Sequence, residues 1–395
     1  MNIKIVPILL AILFAFIILV VVLPLILSFF GVPILPSRDS GGSTGVGSPQ
    51  AGLLRSADKG GEWQAPQFVR EGRAALPAEI LDVVFHPQDA NILFAGTKSS
   101  ALWKSEDQGA TWKKVIDRAG ALDAHSDVVK IALNRTRPKV MYVAAYLDNR
   151  GRVLRSEDGG ETFSQVYLVT ENRLEVLDIY TPPGMTDTIT AAISDGRLIE
   201  SRDGGKRWRI VRAFSQPVAQ IAVNPVFEGE QYALTAGGGL FKTFDRGEIW
   251  ADLTSAVQEA RRRTSQVIEH PFSRRQGIGF LTSPRPRASF SIVISPHDPA
   301  RLYLATREGL LSSSDGGFGW QKVETLLVGL ETPLGDVAVH PTLPNSLLVA
   351  AGQNLYESTD GGVSWSVEVL PGRSSIKRIL IHPLAPEVIF ALLEQ

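Results

Sequence analysis

The chain has 395 residues, 44% apolar and 21% charged, an ordinary globular composition long enough for one large β domain or two smaller ones. Its net charge of −1 provides no overall field that would select nucleic acid. It contains no Cys, which excludes disulfides, Cys-ligated metals, thiol catalysis and lipid attachment through Cys.

Residues 5–36 carry no charge and are mostly Ile, Leu, Val and Phe. About 20 such residues span a bilayer. The run exceeds a signal-peptide core and no Ala-x-Ala site follows it, so 1–36 reads as a retained transmembrane helix. Lys4 and the amino terminus lie on one side of it, which places the N-terminus in the cytoplasm and the rest outside: periplasmic, lumenal or at the cell surface. Residues 37–51, SRDSGGSTGVGSPQA, form a flexible Gly/Ser tether.

From residue 52 onward one motif recurs seven times, Ser/Thr-x-Asp-x-Gly-x-x-Trp. Its Asp residues are Asp58, Asp107, Asp158, Asp203, Asp245, Asp315 and Asp360. Its last position holds Trp63, Trp112, Phe163, Trp208, Trp250, Trp320 and Trp365, six of the seven Trp in the chain. The motif predicts a hairpin turn. The Gly can take φ > 0, the Asp and the Ser/Thr hydroxyl can bond the turn's own amides, and the Trp can cover the turn. Calcium binding is the alternative for Asp-x-Gly, but no copy supplies oxygen ligands at alternate positions, so no metal is expected.

Pairs of apolar strands alternate with these hairpins. The first of each pair falls at 80–85, 128–133, 174–179, 218–223, 290–294, 334–339 and 376–381. The second falls at 92–95, 140–145, 188–193, 232–235, 302–305, 347–351 and 388–392. The domain 52–395 opens on a lone hairpin (53–69) and closes on a lone pair (376–392). Joined as one blade, these ends close a ring and leave no open sheet edge. The reading is an all-β, seven-bladed β-propeller with two-plus-two strand closure.

Successive motif Asp residues are 42 to 51 positions apart except for a gap of 70 between Asp245 and Asp315. The excess is a basic insertion, 254–289, whose first part has helical character. It holds Arg261, Arg262, Arg263, Arg274, Arg275, Arg285 and Arg287 against Glu259 and Glu269, a local +5. Such a loop is either a binding element or a solvated one. Strand order puts it opposite the motif hairpins, with Arg118, Arg150 and Arg173 from shorter connections. These arginines suit carboxylates or an acidic polypeptide. His86, His297, His340 and His382 repeat one structural position, which argues against a shared metal site. No phosphate loop or nucleophile elbow is present. Surface acids such as Asp123, Asp148, Glu171 and Asp195 leave a glycosidase carboxylate pair possible.

The seven hairpin motifs resemble Asp-box (BNR) repeats, across residues 52–395. Within that group the single seven-bladed ring is most similar to the photosystem II stability and assembly factors, which are extracytoplasmic and arginine-rich on one surface. That resemblance implies a membrane-anchored, non-catalytic propeller that binds a protein partner, a membrane protein or acidic polypeptide, without cofactors. Sialidases and xyloglucanases carry the same motif, so a glycan-binding or glycan-cleaving propeller is the second reading. A structural subunit of an envelope complex is the third.

Overall fold

The computed structural model describes residues 52–395 apart from 71–72, 75–76, 78, 183, 186, 228, 266–290 and 324–332. The anchor and tether expected at 1–51 lie outside the described residues, and among those described no helix is long and apolar enough to cross a membrane.

Seven sheets follow one another along the chain, antiparallel except for one outer strand pair. The first strands of the blades are Ile80–Phe85, Asp127–Leu133, Val176–Tyr180, Val218–Val223, Ser291–Ile294, Leu334–Val339 and Ile376–Ile381. Successive first strands pack side by side around the ring. The second strands are almost wholly apolar. Ile189–Ile193, Leu302–Thr306, Leu347–Ala351 and Ile389–Leu393 are buried at every residue. Strands covered on both faces read as continuous apolar runs. The cores lie between blades. Phe94 and Leu102 of the first blade pack with Ile131, Met141 and Phe163 of the second.

The motif hairpins join the third and fourth strands. Their fifth-position glycines all have positive φ, from 82° at Gly109 to 96° at Gly60 and Gly362. In the copy at 105–112, Ser105 Oγ donates to Asp107 Oδ1 (2.8 Å) and accepts from Gly109 N (2.8 Å), while Thr111 N donates to Asp107 Oδ1 (2.8 Å). Trp112 Nε1 donates to Gly109 O at 2.9 Å. The Trp-to-Gly bond recurs at Trp208, Trp250, Trp320 and Trp365. The four histidines serve the turns between first and second strands: His382 Nδ1 accepts from Leu384 N and Ala385 N, and its Nε2 contacts Ala90 O of the next blade.

The ring closes as expected between Leu53–Ser56 and Ile389–Leu393, in register Leu53↔Leu392 to Ser56↔Ile389. The fourth strand of that blade departs from the two-plus-two arrangement. After one bridge, Arg55↔Gln64, the chain swings outward and Gln67–Arg70 pairs in parallel with Thr111–Lys114, the outer strand of the next blade. The closing sheet therefore has three strands and its neighbour six. Pro66 has no N–H with which to extend the ladder. Phe68 finds its place next door, 5.3 Å from the Trp103 ring and stacked 5.9 Å from Trp112.

A ring of polar side chains lines the first strands. Six of them carry a register shift near their second residue. The side chain just after the shift reaches the next blade. Asp82 Oδ2 accepts from Ile131 N (3.0 Å), Asp178 Oδ2 from Ile221 N (2.7 Å), and Asp336 Oδ2 from Ile379 N (2.8 Å). Gln220 exchanges two bonds with Ile292 (3.0 and 2.8 Å). Arg378 and Lys130 hold the corresponding places in two blades and instead ion-pair with Asp82 at 2.5 and 3.4 Å. Burial raises the carboxyls of Asp178 and Asp336. These groups rivet blade to blade, because each Asp commits an oxygen to its neighbour's backbone.

Candidate functional site

The described arginines are mostly spent on contacts within the chain. The insertion opens with helix α1, Thr254–Ser265, whose Val257 and Ala260 are buried among Leu240, Ile292 and Leu304. Thr254 N is capped by Asp252 Oδ1 at 2.8 Å. Arg261 grips Glu308 with two bonds, Nη2–Oε1 2.6 Å and Nε–Oε2 2.9 Å. The start of the insertion is thus a helix, in keeping with its helical character in the sequence, and it is part of the packed domain. Arg262 and Arg263 are exposed and pair with Glu259 at 3.2 and 3.1 Å. Arg274, Arg275, Arg285 and Arg287 lie outside the described residues. Arg118 pairs with Glu161 of a motif hairpin (3.1 Å). Arg150 Nε donates to Asn172 Oδ1 (3.0 Å), and Arg173 N donates to Asn149 O (2.7 Å), so Arg150 and Arg173 come together on adjoining loops.

A different surface concentrates exposed aromatic area. Phe227, Phe244 and Phe318 expose 55%, 51% and 54% of themselves on the motif-hairpin side of the fourth and fifth blades. Phe244 and Phe318 flank the buried Lys242. Its Nζ lies 4.4 Å from the Phe244 ring centroid, 5.1 Å from Phe318 and 5.0 Å from the buried Tyr232. Cation–π attraction strengthens when the cation is desolvated. Lys242 Nζ also pairs with Glu230 Oε1 (2.5 Å) and donates to Gly316 O (2.9 Å) in the next hairpin. Burial opposes charge on Glu230, but Lys242, Tyr232 and Asn224 outweigh it and hold the carboxyl below its usual range. Asn224 Oδ1 accepts from Val226 N and Phe227 N, which fixes the turn that presents Phe227. The rings are therefore held on a built base.

The other side of the Phe244 hairpin, toward the third blade, is polar. Glu248, in the Phe244 hairpin, binds Arg202 Nη2 (2.9 Å) and Arg209 Nη2 (2.6 Å). Glu200 binds the same two arginines at 2.5 and 3.0 Å. Two acids and two bases make this edge neutral and rich in hydrogen-bonding groups. Sequence reasoning passed over all three phenylalanines. The available signal was a comparison among copies: Phe244's place holds Ala57, Glu106, Glu157, Arg202, Ser314 or Thr359 in the other hairpins.

The chain is a seven-bladed β-propeller. No family model matches it. It is 25% identical over 199 residues to an oligoxyloglucan-reducing end-specific xyloglucanase of Emericella nidulans, covering 43% of this chain and 23% of the relative. Its fold resembles the GH74 xyloglucanase from Xanthomonas campestris, with TM-score 0.59 and 16% identity over 79% of this chain and 50% of that one. It also resembles YCF48 bound to D1 peptide, with TM-score 0.57 and 18% identity over 80% of this chain and 93% of that one. The structural likeness extends to the fold alone, and the chain spans about a quarter of the curated relative's length. These relatives correct the expectation of a non-catalytic assembly factor: the sequence matches to proteins named as xyloglucanases, which are enzymes, are supplemented only by shorter ones to the VPS10 domain-containing receptor SorCS3.

Proposed function

We propose that this propeller is a glycan-directed protein of the glycoside-hydrolase type, acting on β-linked glucans of the xyloglucan class. The observation that carries the reading is the sequence likeness to xyloglucanases, over 43% of the chain for one relative and 29% for another. The exposed aromatic surface supports it, because sugar rings stack on such faces. The apolar run 1–36 and the tether 37–51 would hold the propeller at a membrane, facing outward, within reach of extracytoplasmic polysaccharide.

The test is incubation of the purified full chain with xyloglucan and with unbranched soluble β-glucan, measuring new reducing ends and, separately, retardation in glucan-containing native gels. Cleavage with retardation is expected. Neither cleavage nor retardation on any β-glucan would refute the function.

A further inference from the structure

We propose that His382 is an acid-sensitive clasp across the seam where the ring closes, holding that seam shut at neutral pH and releasing it in mild acid. The seam joins the closing blade to the first blade. His382 stands in the turn between Ile376–Ile381 and Ile389–Leu393. Ala385 and Val388 of the same turn are buried in one core with Ile80, Val83 and Leu93 of the first blade. The His382 ring lies 4.5 Å from the ring of Phe85, also in the first blade.

Both ring nitrogens are committed, in opposite senses. Nδ1 accepts from Leu384 N and Ala385 N, each at 3.1 Å. Nε2 therefore carries the proton and donates across the seam to Ala90 O at 2.9 Å. A second proton has no place except Nδ1. There it turns an acceptor of two amides into a donor that faces them. The turn then loses both bonds, and with them the footing of Ala385 and Val388 in the seam's core.

A comparison down the column shows that the turn needs an acceptor but not an imidazole. In the same place Asn134 Oδ1 accepts from Thr136 N (3.0 Å) and Arg137 N (2.9 Å). Asn224 Oδ1 accepts from Val226 N (2.9 Å) and Phe227 N (3.0 Å). Ser295 Oγ accepts from His297 N and Asp298 N at 3.3 and 3.4 Å. None of these side chains titrates near neutrality. His86 and His340 repeat the imidazole version, accepting from Gln88 N and from Thr342 N and Leu343 N, but both are partly exposed. His382 is buried completely.

The charged groups around the clasp are few. Burial lowers the His382 pKa, against Ala90 O and the carboxylate of Glu387 in its own turn, which favour the proton. On the first-blade side Asp89 adjoins Ala90 and commits an oxygen to Asn91 N at 2.9 Å. From the closing blade's own hairpin, Lys59 N donates to Glu387 O at 2.9 Å, and the Lys59 charge acts on His340. With the folded value depressed, the clasp's stabilisation is complete above the ordinary value of 6.5 and is lost as pH falls through the folded one.

The experiment is amide hydrogen exchange of the full chain in detergent micelles, read by mass spectrometry, with every rate divided by its intrinsic rate at the same pH. Between about pH 7 and about pH 5, protection of the Leu384 and Ala385 amides should fall about tenfold, while Thr136 and Arg137 in the Asn134 turn keep theirs. His382→Asn installs the acceptor used in the second and fourth blades and should abolish the fall. His340→Asn should leave it unchanged. Protection that stays constant at the His382 turn, or falls equally at both turns, would overturn the clasp, as would a fall that persists in His382→Asn. The comparison between the two turns is made within the parent chain, so it decides the matter even where His382→Asn fails to fold.

Discussion

Replacing Glu368 with Gln should stabilise the protein at neutral and alkaline pH and have no effect below the ordinary carboxylate range. In three outer strands the corresponding residue is Val166, Val211 or Val323, packed against the motif glycine of the next hairpin, Gly205, Gly247 or Gly362. In the sixth blade that place is taken by Glu368, against Gly60. Its Oε1 accepts from Trp63 Nε1 at 3.0 Å, a bond that diverts this indole from the glycine carbonyl used by the other tryptophans. Burial, together with the negative charges of Asp58 and Glu357, pushes the carboxyl up against the pull of Trp63. Glu357 is a diagonal neighbour on the paired strand, two residues beyond the Leu355↔Glu368 register. Such like-charged neighbours cost roughly 0.2–1 kcal/mol each, and partial exposure favours the lower half of that range. Gln keeps an acceptor for Trp63 and removes the charge, so the gain should be about 0.5–1 kcal/mol, or about 1–3 °C in Tm. A folded value raised above the unfolded one means that ionisation costs stability. The cost is complete above the folded value, shrinks as pH falls through it, and is absent below the unfolded value near about 4.3. Thermal melts of the parent, Glu368→Gln and Glu368→Val across pH 4–8 measure this. A Gln advantage that stays constant with pH, or grows toward acid, would refute the reasoning.

Three further outcomes follow from the same structure. Arg261→Ala should destabilise by about 1–2 kcal/mol in urea unfolding, since it strands a half-buried Glu308, whereas Arg262→Ala and Arg263→Ala should stay within about 0.5 kcal/mol. The Arg207 side chain and amide hold the Asp203 carboxyl down to about 2, so its contribution is present above its unfolded value and lost as pH falls through about 2; Asp203→Asn should remove that part of the acid transition in a pH-jump melt. Deleting 376–395 removes the strands paired with Leu53–Ser56 and the Arg378 partner of Asp82, so the truncated chain should aggregate or lose its cooperative transition, and a normal melt would refute ring closure at these strands.

What was legible in the sequence was what the chain settles locally. The Ser, Asp and Gly bonds that define a motif hairpin join residues within four positions, so Ser105, Asp107, Gly109 and Trp112 declare their roles in one glance. Ring closure was legible because an unmatched hairpin and an unmatched strand pair stand at opposite ends. The departure at Pro66 was not, because the site that captures Phe68 is built by Trp103 and Trp112 of another blade. Two of the arginines singled out show the same limit in electrostatic form. Counting charge along 254–289 gives a strong local excess, but charge acts through space. Glu308 lies 47 positions from Arg261 and neutralises it, and Glu161 does the same for Arg118 from 43 positions away. Conversely, the three phenylalanines are unremarkable one at a time along the chain. Phe244 and Phe318 come together only because Lys242 reaches 74 positions ahead to Gly316 and draws two hairpins around one ammonium group. In a repeat protein, then, the informative comparison is down each motif column. Places where one copy breaks the column without being needed for the turn, as at Phe244, Phe318 and Glu368, are where chemistry beyond folding should be sought.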